Sequence, residues 1–182
     1  MSDHLKGNVA VVTGGSRGIG RAIARRIARE GSDCLLAART EAALKKSAEL
    51  IVAESGVRVE ICPTDLRTLE GCNTVCDTLM STFGRADTLI NSAGLFVEQD
   101  DDEWEDGFAL KFYSAVRLSR LLWPLLKESR GSVINIVGGF ARTPDPDFMI
   151  GGAVNAALAN FSKALAGLGL HDDVNVNTIH PE

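Results

Sequence analysis

The chain has 182 residues, 45% of them hydrophobic and 24% charged, which is enough for one domain with a sizeable core and is typical of a soluble globular protein. Its formal net charge of -5 argues against nucleic acid or an anionic membrane as a partner. It shows no apolar run of membrane-spanning length, no signal-peptide pattern at residues 1–7 and no metal-ligand spacing among its four cysteines. We therefore expect a cytoplasmic protein with free thiols and no metal site.

A glycine-rich stretch at residues 13–20 follows an apolar run at 9–12, which predicts a buried strand, and opens a helix-like pattern. A strand, a glycine turn and a helix in this order form a phosphate cradle, because the helix N-terminus presents unpaired N–H groups and a partial positive charge. The spacing is G-x-x-x-G-x-G, not the commonest dinucleotide fingerprint, and a purely structural turn is the alternative. The residues predicted to bind the cofactor here are Gly14, Ser16, Arg17, Gly18, Ile19 and Gly20.

A second strand is predicted at 34–38, and Arg39 follows its end, where the adenosine ribose arrives in a dinucleotide-binding fold. Ala38 and Arg39 supply no acid to bind a free 2′-hydroxyl, and the Arg39 guanidinium suits a 2′-phosphate. Arg17 offers a second cation. These residues favour NADP as the cofactor, and a solvated strand-end arginine is the alternative reading of Arg39.

Two further strand ends are predicted to contact the cofactor. An aspartate after the third predicted strand, at 57–62, either accepts a hydrogen bond from an adenine amino group or caps the next helix. The fourth predicted strand, at 87–91, ends in small residues that let a cofactor pass close to the backbone. The residues added to the predicted cofactor site are Asp65, Leu66, Asn91, Ala93 and Gly94.

The whole pattern alternates strands with helices and contains no internal repeat, linker or low-complexity segment. Helices are predicted at 18–31, from the N-cap Thr40 to 54, in a segment that ends at 83–84, at 103–128 with Pro124 near its end, and at 151–168. The last two strands are predicted at 132–137 and 174–179. Such alternation predicts an α/β fold of Rossmann type, a doubly wound parallel sheet with helices on both faces. The ligand then binds at the carboxyl ends of the strands, where the strand order reverses.

Taken together, these residues resemble the short-chain dehydrogenase/reductase family over nearly the whole chain. The matching motifs are Thr13-Gly14-x-x-x-Gly18-Ile19-Gly20, Asp65-Leu66, Asn91-Ser92-Ala93-Gly94, Trp104 and Val174-Asn175-Val176-Asn177-x-Ile179-x-Pro181. The resemblance implies an NADP-dependent oxidoreductase that acts on a small-molecule carbonyl or alcohol. It also implies a homo-dimer or homo-tetramer built through the two long helices, where apolar faces exceed what one sheet covers.

The catalytic positions depart from the family's Asn-Ser-Tyr-Lys tetrad. By the register of the motifs, the Asn position is Lys111, the Ser position is Gly138, the Tyr position is Gly151 and the Lys position is Asn155. Neither glycine can donate a proton or stabilise an oxyanion through a side chain. We expect Lys111 to bring an ammonium group into the pocket, where it hydrogen-bonds a developing alkoxide or donates a proton, and Asn155 to bind the nicotinamide ribose. The alternative is that Lys111 is a solvated lysine on the helix and the site is inactive.

Two functions remain open from the sequence. One is an NADP-dependent oxidoreductase with an atypical active site, and the other is an inactive NADP-binding member that works as a regulatory or assembly protein. No G-x-S-x-G elbow or Ser/His pair supports a hydrolase or lyase on the same fold. We further expect a single domain over 1–182 without the family's C-terminal lid and last strand, and a segment between Gly94 and Trp104 that is shorter than usual.

Overall fold

A computed structural model of the chain describes residues 4–94 and 101–181. Its six strands form one parallel sheet. They are β1 (Val9–Thr13), β2 (Asp33–Ala38), β3 (Val59–Pro63), β4 (Thr88–Asn91), β5 (Ser132–Ile136) and β6 (Asn175–Ile179). The order in the sheet is β3-β2-β1-β4-β5-β6, so the strand order reverses between β1 and β4. The predicted doubly wound parallel sheet is thereby confirmed.

Helices connect the strands and cover both faces of the sheet. They are α1 (Gly18–Ala28), α2 (Glu41–Ser55), α3 (Leu69–Thr82), α4 (Asp101–Gly107), a π-helix (Phe108–Tyr113), α5 (Ser114–Ser129) and α6 (Met149–Asp172), with short 3-10 turns at Gly139–Ala141 and Pro146–Phe148. No helix within 4–94 and 101–181 has both the length and the apolarity needed to cross a membrane. The expected short segment after Gly94 falls largely on residues 95–100, which lie outside the described residues.

The continuous apolar runs of the central strands are explained by burial on both faces. In β1, Val11 packs in one cluster with residues of α3 and α5, whereas Val12 packs in a second cluster with residues of α1 and α2. All five residues of β1 are buried. A strand that is covered on both sides shows no polar alternation, and its apolar run therefore identifies a central strand.

The predicted helix at 103–128 contains a π-helical segment, which the apolar periodicity did not indicate. The backbone N–H of Ser114 donates to the carbonyl oxygen of Ala109, five residues earlier, instead of to that of Leu110. The hydroxyl group of Ser114 donates to the carbonyl of Leu110 and satisfies it. Such local widening often occurs at functional sites, and this one carries Lys111.

Helix α2 begins directly after Thr40, as predicted, whereas the bounds of the last predicted helix need correction. Thr40 precedes α2, but its hydroxyl group makes no capping hydrogen bond. Helix α6 extends beyond the predicted 168 to Asp172, so Gly167 and Gly169 do not end it. Gly169 is required inside the helix because a Cβ there would lie 2.1 Å from the carbonyl oxygen of Val174, where the chain turns back towards β6. The helix ends instead at Asp173, which adopts a left-handed conformation with φ 56°.

Gly167 and Gly169 offer a matched test of this close approach. A Cβ at Gly167 would meet nothing within 4 Å, so we expect Gly167→Ala to raise the free energy of unfolding by about 0.5–1 kcal/mol through helix propensity. We expect Gly169→Ala to lower it by about 1–3 kcal/mol, because Val174 must shift. Urea unfolding measures both values, and shifts of the same sign in the two variants would contradict the packing.

Candidate functional site

A cavity of about 780 Å³ lies at the carboxyl ends of the strands, where the strand order reverses. Its walls come from the glycine turn after β1, from the ends of β2, β3 and β4, and from the segment around Lys111. The lining residues include Gly14, Ser16, Arg17, Gly18, Ile19, Gly20, Ala38, Arg39, Thr64, Leu66, Ser92, Ala93, Gly94, Leu110, Lys111, Ile136 and Phe148. The structure therefore brings together most residues that the sequence predicts for the site.

Main-chain segments meet at the floor of this cavity without room for side chains. Gly14 has φ +69°, and a Cβ there would lie 2.8 Å from the carbonyl oxygen of Ser92. A Cβ at Gly20 would lie 2.4 Å from the carbonyl oxygen of Gly14. The two glycines thus let the turn pack directly against both α1 and the end of β4, and the N-terminus of α1 faces the cavity as a cradle for an anion.

Thr13 fixes this arrangement, although the sequence reasoning gave its side chain no role. Its hydroxyl oxygen accepts hydrogen bonds from the backbone N–H groups of Ser92, at 3.0 Å, and Ala93, at 3.1 Å. Thr13 is fully buried, so these hydrogen bonds are shielded from water. The only sequence feature that could have indicated this role is the position of Thr13 between an apolar strand and a glycine turn. On the other side, the hydroxyl of Ser47 donates to the carbonyl of Ser16 and holds the turn against α2.

Two cations lie at the rim of the cavity. Arg17 and Arg39 are both exposed and both line it, and Ala38 separates Arg39 from the buried part of β2. Among the described residues, those that line the cavity near Arg39 include Thr40 and Ala43 and no carboxylate, and the Asp65 carboxylate outside the lining is paired with Arg67. This charge distribution suits a phosphate group at the end of β2.

Asp65 does not line the cavity, although its neighbours Thr64 and Leu66 do. Its carboxylate is held by Arg67, whose Nε and Nη2 donate to the Asp65 Oδ2 atom at 3.0 and 2.7 Å. The hydrogen bonds from Arg67 keep the pKa of Asp65 below its usual range. The capping alternative is wrong, because Thr68 caps α3 by accepting a hydrogen bond from the N–H of Gly71.

Arg67 also connects this part of the site to the helices around Lys111. Its Nη1 donates to Asp106 on α4 at 2.5 Å, and its carbonyl oxygen accepts a hydrogen bond of 2.7 Å from Arg117 on α5. Asp106 and Arg117 lie on either side of the π-helix. The segment that carries Lys111 is therefore attached at both ends to the residue that holds Asp65.

Asn91 lies at the end of β4, where it is buried and does not line the cavity. Its Nδ2 donates to the Oδ1 of Asn135 at 2.8 Å, and the Nδ2 of Asn135 donates to the hydroxyl of Ser162 at 2.7 Å. This chain of hydrogen bonds joins β4 to β5 and α6. The Oδ1 of Asn91 has no hydrogen-bond partner among the described residues.

Lys111 lies on the π-helix and its side chain reaches the cavity. Its Nζ donates to the carbonyl oxygen of Val137, at the end of β5, at 2.7 Å. Burial disfavours the charged ammonium and lowers the pKa of Lys111 from 10.5 to about 8. Lys111 is thus a mostly buried amine whose proton is held less tightly than that of a lysine in water.

Gly138 and Gly151, which the motif register assigns to the Ser and Tyr positions, are each approached by another side chain. A Cβ at Gly138, which has φ +105°, would lie 2.9 Å from the Nδ2 of Asn155. A Cβ at Gly151 would lie 1.9 Å from the ring of Phe148. Asn155 is 2% exposed and does not line the cavity, and its Oδ1 lacks a hydrogen-bond partner in the described chain.

Comparisons with known proteins agree with this geometry. The family model described as short chain dehydrogenase matches residues 8–182. The chain is 31% identical to 11-beta-hydroxysteroid dehydrogenase A from Sesamum indicum, over 100% of its own length and 53% of the relative's, so it spans about half of that protein. This chain therefore belongs to the short-chain dehydrogenase family.

Solved structures share the fold. L-sorbose reductase from Gluconobacter frateurii, complexed with NADPH and L-sorbose, superposes with a TM-score of 0.95 at 37% identity, covering 100% of this chain and 71% of that one. Carveol dehydrogenase from Mycobacterium avium, complexed with NAD, has a TM-score of 0.91 at 21% identity, covering 98% and 71%. The second similarity, at this identity, shows the common fold alone.

Proposed function

We propose that this protein is an NADP-dependent oxidoreductase that interconverts a carbonyl compound and an alcohol, with Lys111 in the place of the family's tyrosine. The observation that carries the proposal is the Lys111 ammonium, which lies in the cavity at 2.7 Å from the Val137 carbonyl oxygen. Hydride transfer to a carbonyl requires a proton donor nearby, and neither Gly138 nor Gly151 has one.

The cavity fits a dinucleotide. The cradle of Gly14, Gly18 and Gly20 would hold the pyrophosphate, and Arg39 with Arg17 would bind a 2′-phosphate. The ribose role of Asn155, which the resemblance implies for its position, stays part of this proposal and requires its buried side chain to turn towards the cavity, which it does not line. The adenine role of Asp65 stays part of this proposal, with Arg67 holding its carboxylate.

A bound nicotinamide would supply the hydride in reduction and take it back in oxidation. In reduction, Lys111 donates a proton from Nζ to the oxygen of the carbonyl as negative charge develops there, and water later returns a proton to the amine. In oxidation, the neutral amine accepts the proton of the alcohol. The low polarity around Nζ favours this exchange, because burial has already weakened the hold on the proton.

We also propose a cytoplasmic homo-oligomer. All four cysteines are free thiols, as in proteins of reducing compartments. Helix α6 presents Met149, Leu168 and Leu170 to solvent, with Leu170 85% exposed, and such apolar residues favour a partner helix. Light scattering at micromolar concentration should give a dimer or tetramer, and a monomer would contradict this part of the proposal.

Replacement of Arg39 tests the cofactor preference. Arg39→Ala should weaken NADP binding by about tenfold to a hundredfold, because one charge-assisted contact to the 2′-phosphate is lost, and should leave NAD binding unchanged. Calorimetric titration with both cofactors measures the effect. Arg130→Ala is the control, since Arg130 is exposed and does not line the cavity. Equal NADP affinity in wild type and Arg39→Ala would remove Arg39 from this role.

Replacement of Lys111 tests the chemistry. Lys111→Met keeps most of the apolar stem and removes the ammonium group, so reductase turnover should fall by about 10²–10⁴ while cofactor affinity holds. The control is Lys127→Met, because Lys127 is exposed and pairs with Asp172. Unchanged turnover would exclude Lys111 from the mechanism, and no wild-type turnover across a broad carbonyl and alcohol panel would favour the inactive NADP-binding protein.

The pH profile gives a second readout of Lys111. Reduction needs the ammonium form, so kcat/KM should be constant below the pKa of about 8 and fall above it. Oxidation needs the neutral amine, so its kcat/KM should rise as the pH passes through the same value. Initial rates measured in both directions give the two pH profiles. If the residual activity of Lys111→Met still changes near pH 8, the pH dependence belongs to another group.

A further inference from the structure

Phe148 occupies the space that a side chain on Gly151 would need. The ideal Cβ position of Gly151 lies 1.9 Å from the Cε1 of Phe148 and 2.3 Å from its Cζ. These distances are far below van der Waals contact, so the ring and any side chain at 151 exclude each other. Because Gly151 matches the family's tyrosine position, the ring of Phe148 lies where that tyrosine would leave the helix.

Phe148 is also part of the cavity wall. It lines the cavity together with Lys111 and with the apolar side chains of Leu110 and Ile136. The ring of Phe140 packs against that of Phe148, with centroids 5.1 Å apart and planes tilted by 49°. The cavity that Lys111 reaches therefore has in its lining an aromatic ring, which a second ring supports, and the aliphatic side chains of Leu110 and Ile136.

We propose that Phe148 is the substrate-binding wall of this site and that the substrate carries a flat, apolar group, such as an aryl ring, next to its carbonyl. Flat apolar groups pack on aromatic rings in offset-stacked or edge-to-face contact, and a ring at 148 gives such a group a face to lie on. The carbonyl oxygen then lies towards Lys111. This inference rests on the proposed function and adds the substrate class to it.

Two ketones with the same number of carbon atoms test the inference. Acetophenone has a planar ring beside its carbonyl, and cyclohexyl methyl ketone has a puckered, saturated ring of similar size. Phe148→Ala removes the aromatic face, and Phe148→Leu keeps an apolar side chain without it. Gly151→Ala displaces the ring from within α6, and its neighbour Gly152→Ala is the matched control, because its Cβ would meet only the Phe140 carbonyl oxygen at 3.4 Å.

The measured quantity is the ratio of kcat/KM for acetophenone to that for cyclohexyl methyl ketone, with NADPH as reductant. The ratio should fall by about threefold to tenfold in Phe148→Ala, Phe148→Leu and Gly151→Ala, and hold in Gly152→Ala. A loss of stability alone would lower both rates together and leave the ratio unchanged. A ratio that holds in the Phe148 variants overturns the inference.

Binding distinguishes this inference from the proposed function. Calorimetric titration of both ketones into the protein with NADP measures their relative affinity without turnover. If wild type reduces neither ketone but binds acetophenone more tightly, and the Phe148 variants lose that preference, the reductase proposal fails and the aromatic wall stands. If wild type reduces both ketones and shows no dependence on Phe148 in rate or affinity, the aromatic wall fails and the reductase proposal stands.

Discussion

The close approach of three main-chain segments is the constraint on which the site depends. The turn after β1 packs against α1 on one side and against the end of β4 on the other, and at both contacts a Cβ would collide with a carbonyl oxygen. Gly14 and Gly20 make these approaches possible, and the buried hydroxyl of Thr13 joins the turn to Ser92 and Ala93. The anion cradle and the far wall of the cavity are thereby held in a single arrangement.

The two glycines that the motif register assigns to the Ser and Tyr positions are each packed against a neighbouring side chain. Gly151 and Phe148 occupy complementary space, and Gly138 and Asn155 do the same at the end of β5. Each glycine is therefore matched to a particular neighbour, as expected in an interior where packing density is close to that of a crystal. Lys111 adds a polar group that enters from a different element and contacts the backbone of Val137. The chemistry of such a site is better inferred from the side chains that are present than from those that are absent.

Much of the fold was predictable because its signals are local. Central strands that are buried on both faces give uninterrupted apolar runs, and the glycine turn marks the first strand-to-helix connection. Most of the predicted cofactor residues do line one cavity, since the carboxyl ends of parallel strands meet at one edge of the sheet. Asp65 and Asn91 show the limit of this reasoning, because they lie at strand ends that border the cavity, but hydrogen bonds to neighbouring side chains hold them outside its lining.

The remaining features depend on contacts that the sequence pattern does not reveal. The π-helix at Phe108–Tyr113 ends where the hydroxyl of Ser114 donates to the carbonyl of Leu110, a contact that apolar periodicity does not indicate. The hydrogen bonds of Arg67 to Asp65 and Asp106 join the loop after β3 to α4, so no local spacing rule indicates them. Phe148 reads as a loop residue after two prolines, and only its distance to Gly151 shows that the two share one space.

The pairing of β1 with β4 also has a consequence for how the chain acquires its site. Val12 pairs with Ile90, so the two strands that border the cavity are joined across a long stretch of chain, which is slow to close. The glycine turn lies in the N-terminal part, whereas Ser92, Ala93 and Lys111, which complete the cavity, come later in the chain. A ligand that contacts both parts binds the folded chain and stabilises it by mass action. Occupancy of this cavity would then report that β1 and β4 have paired, because the turn takes its place only against the end of β4.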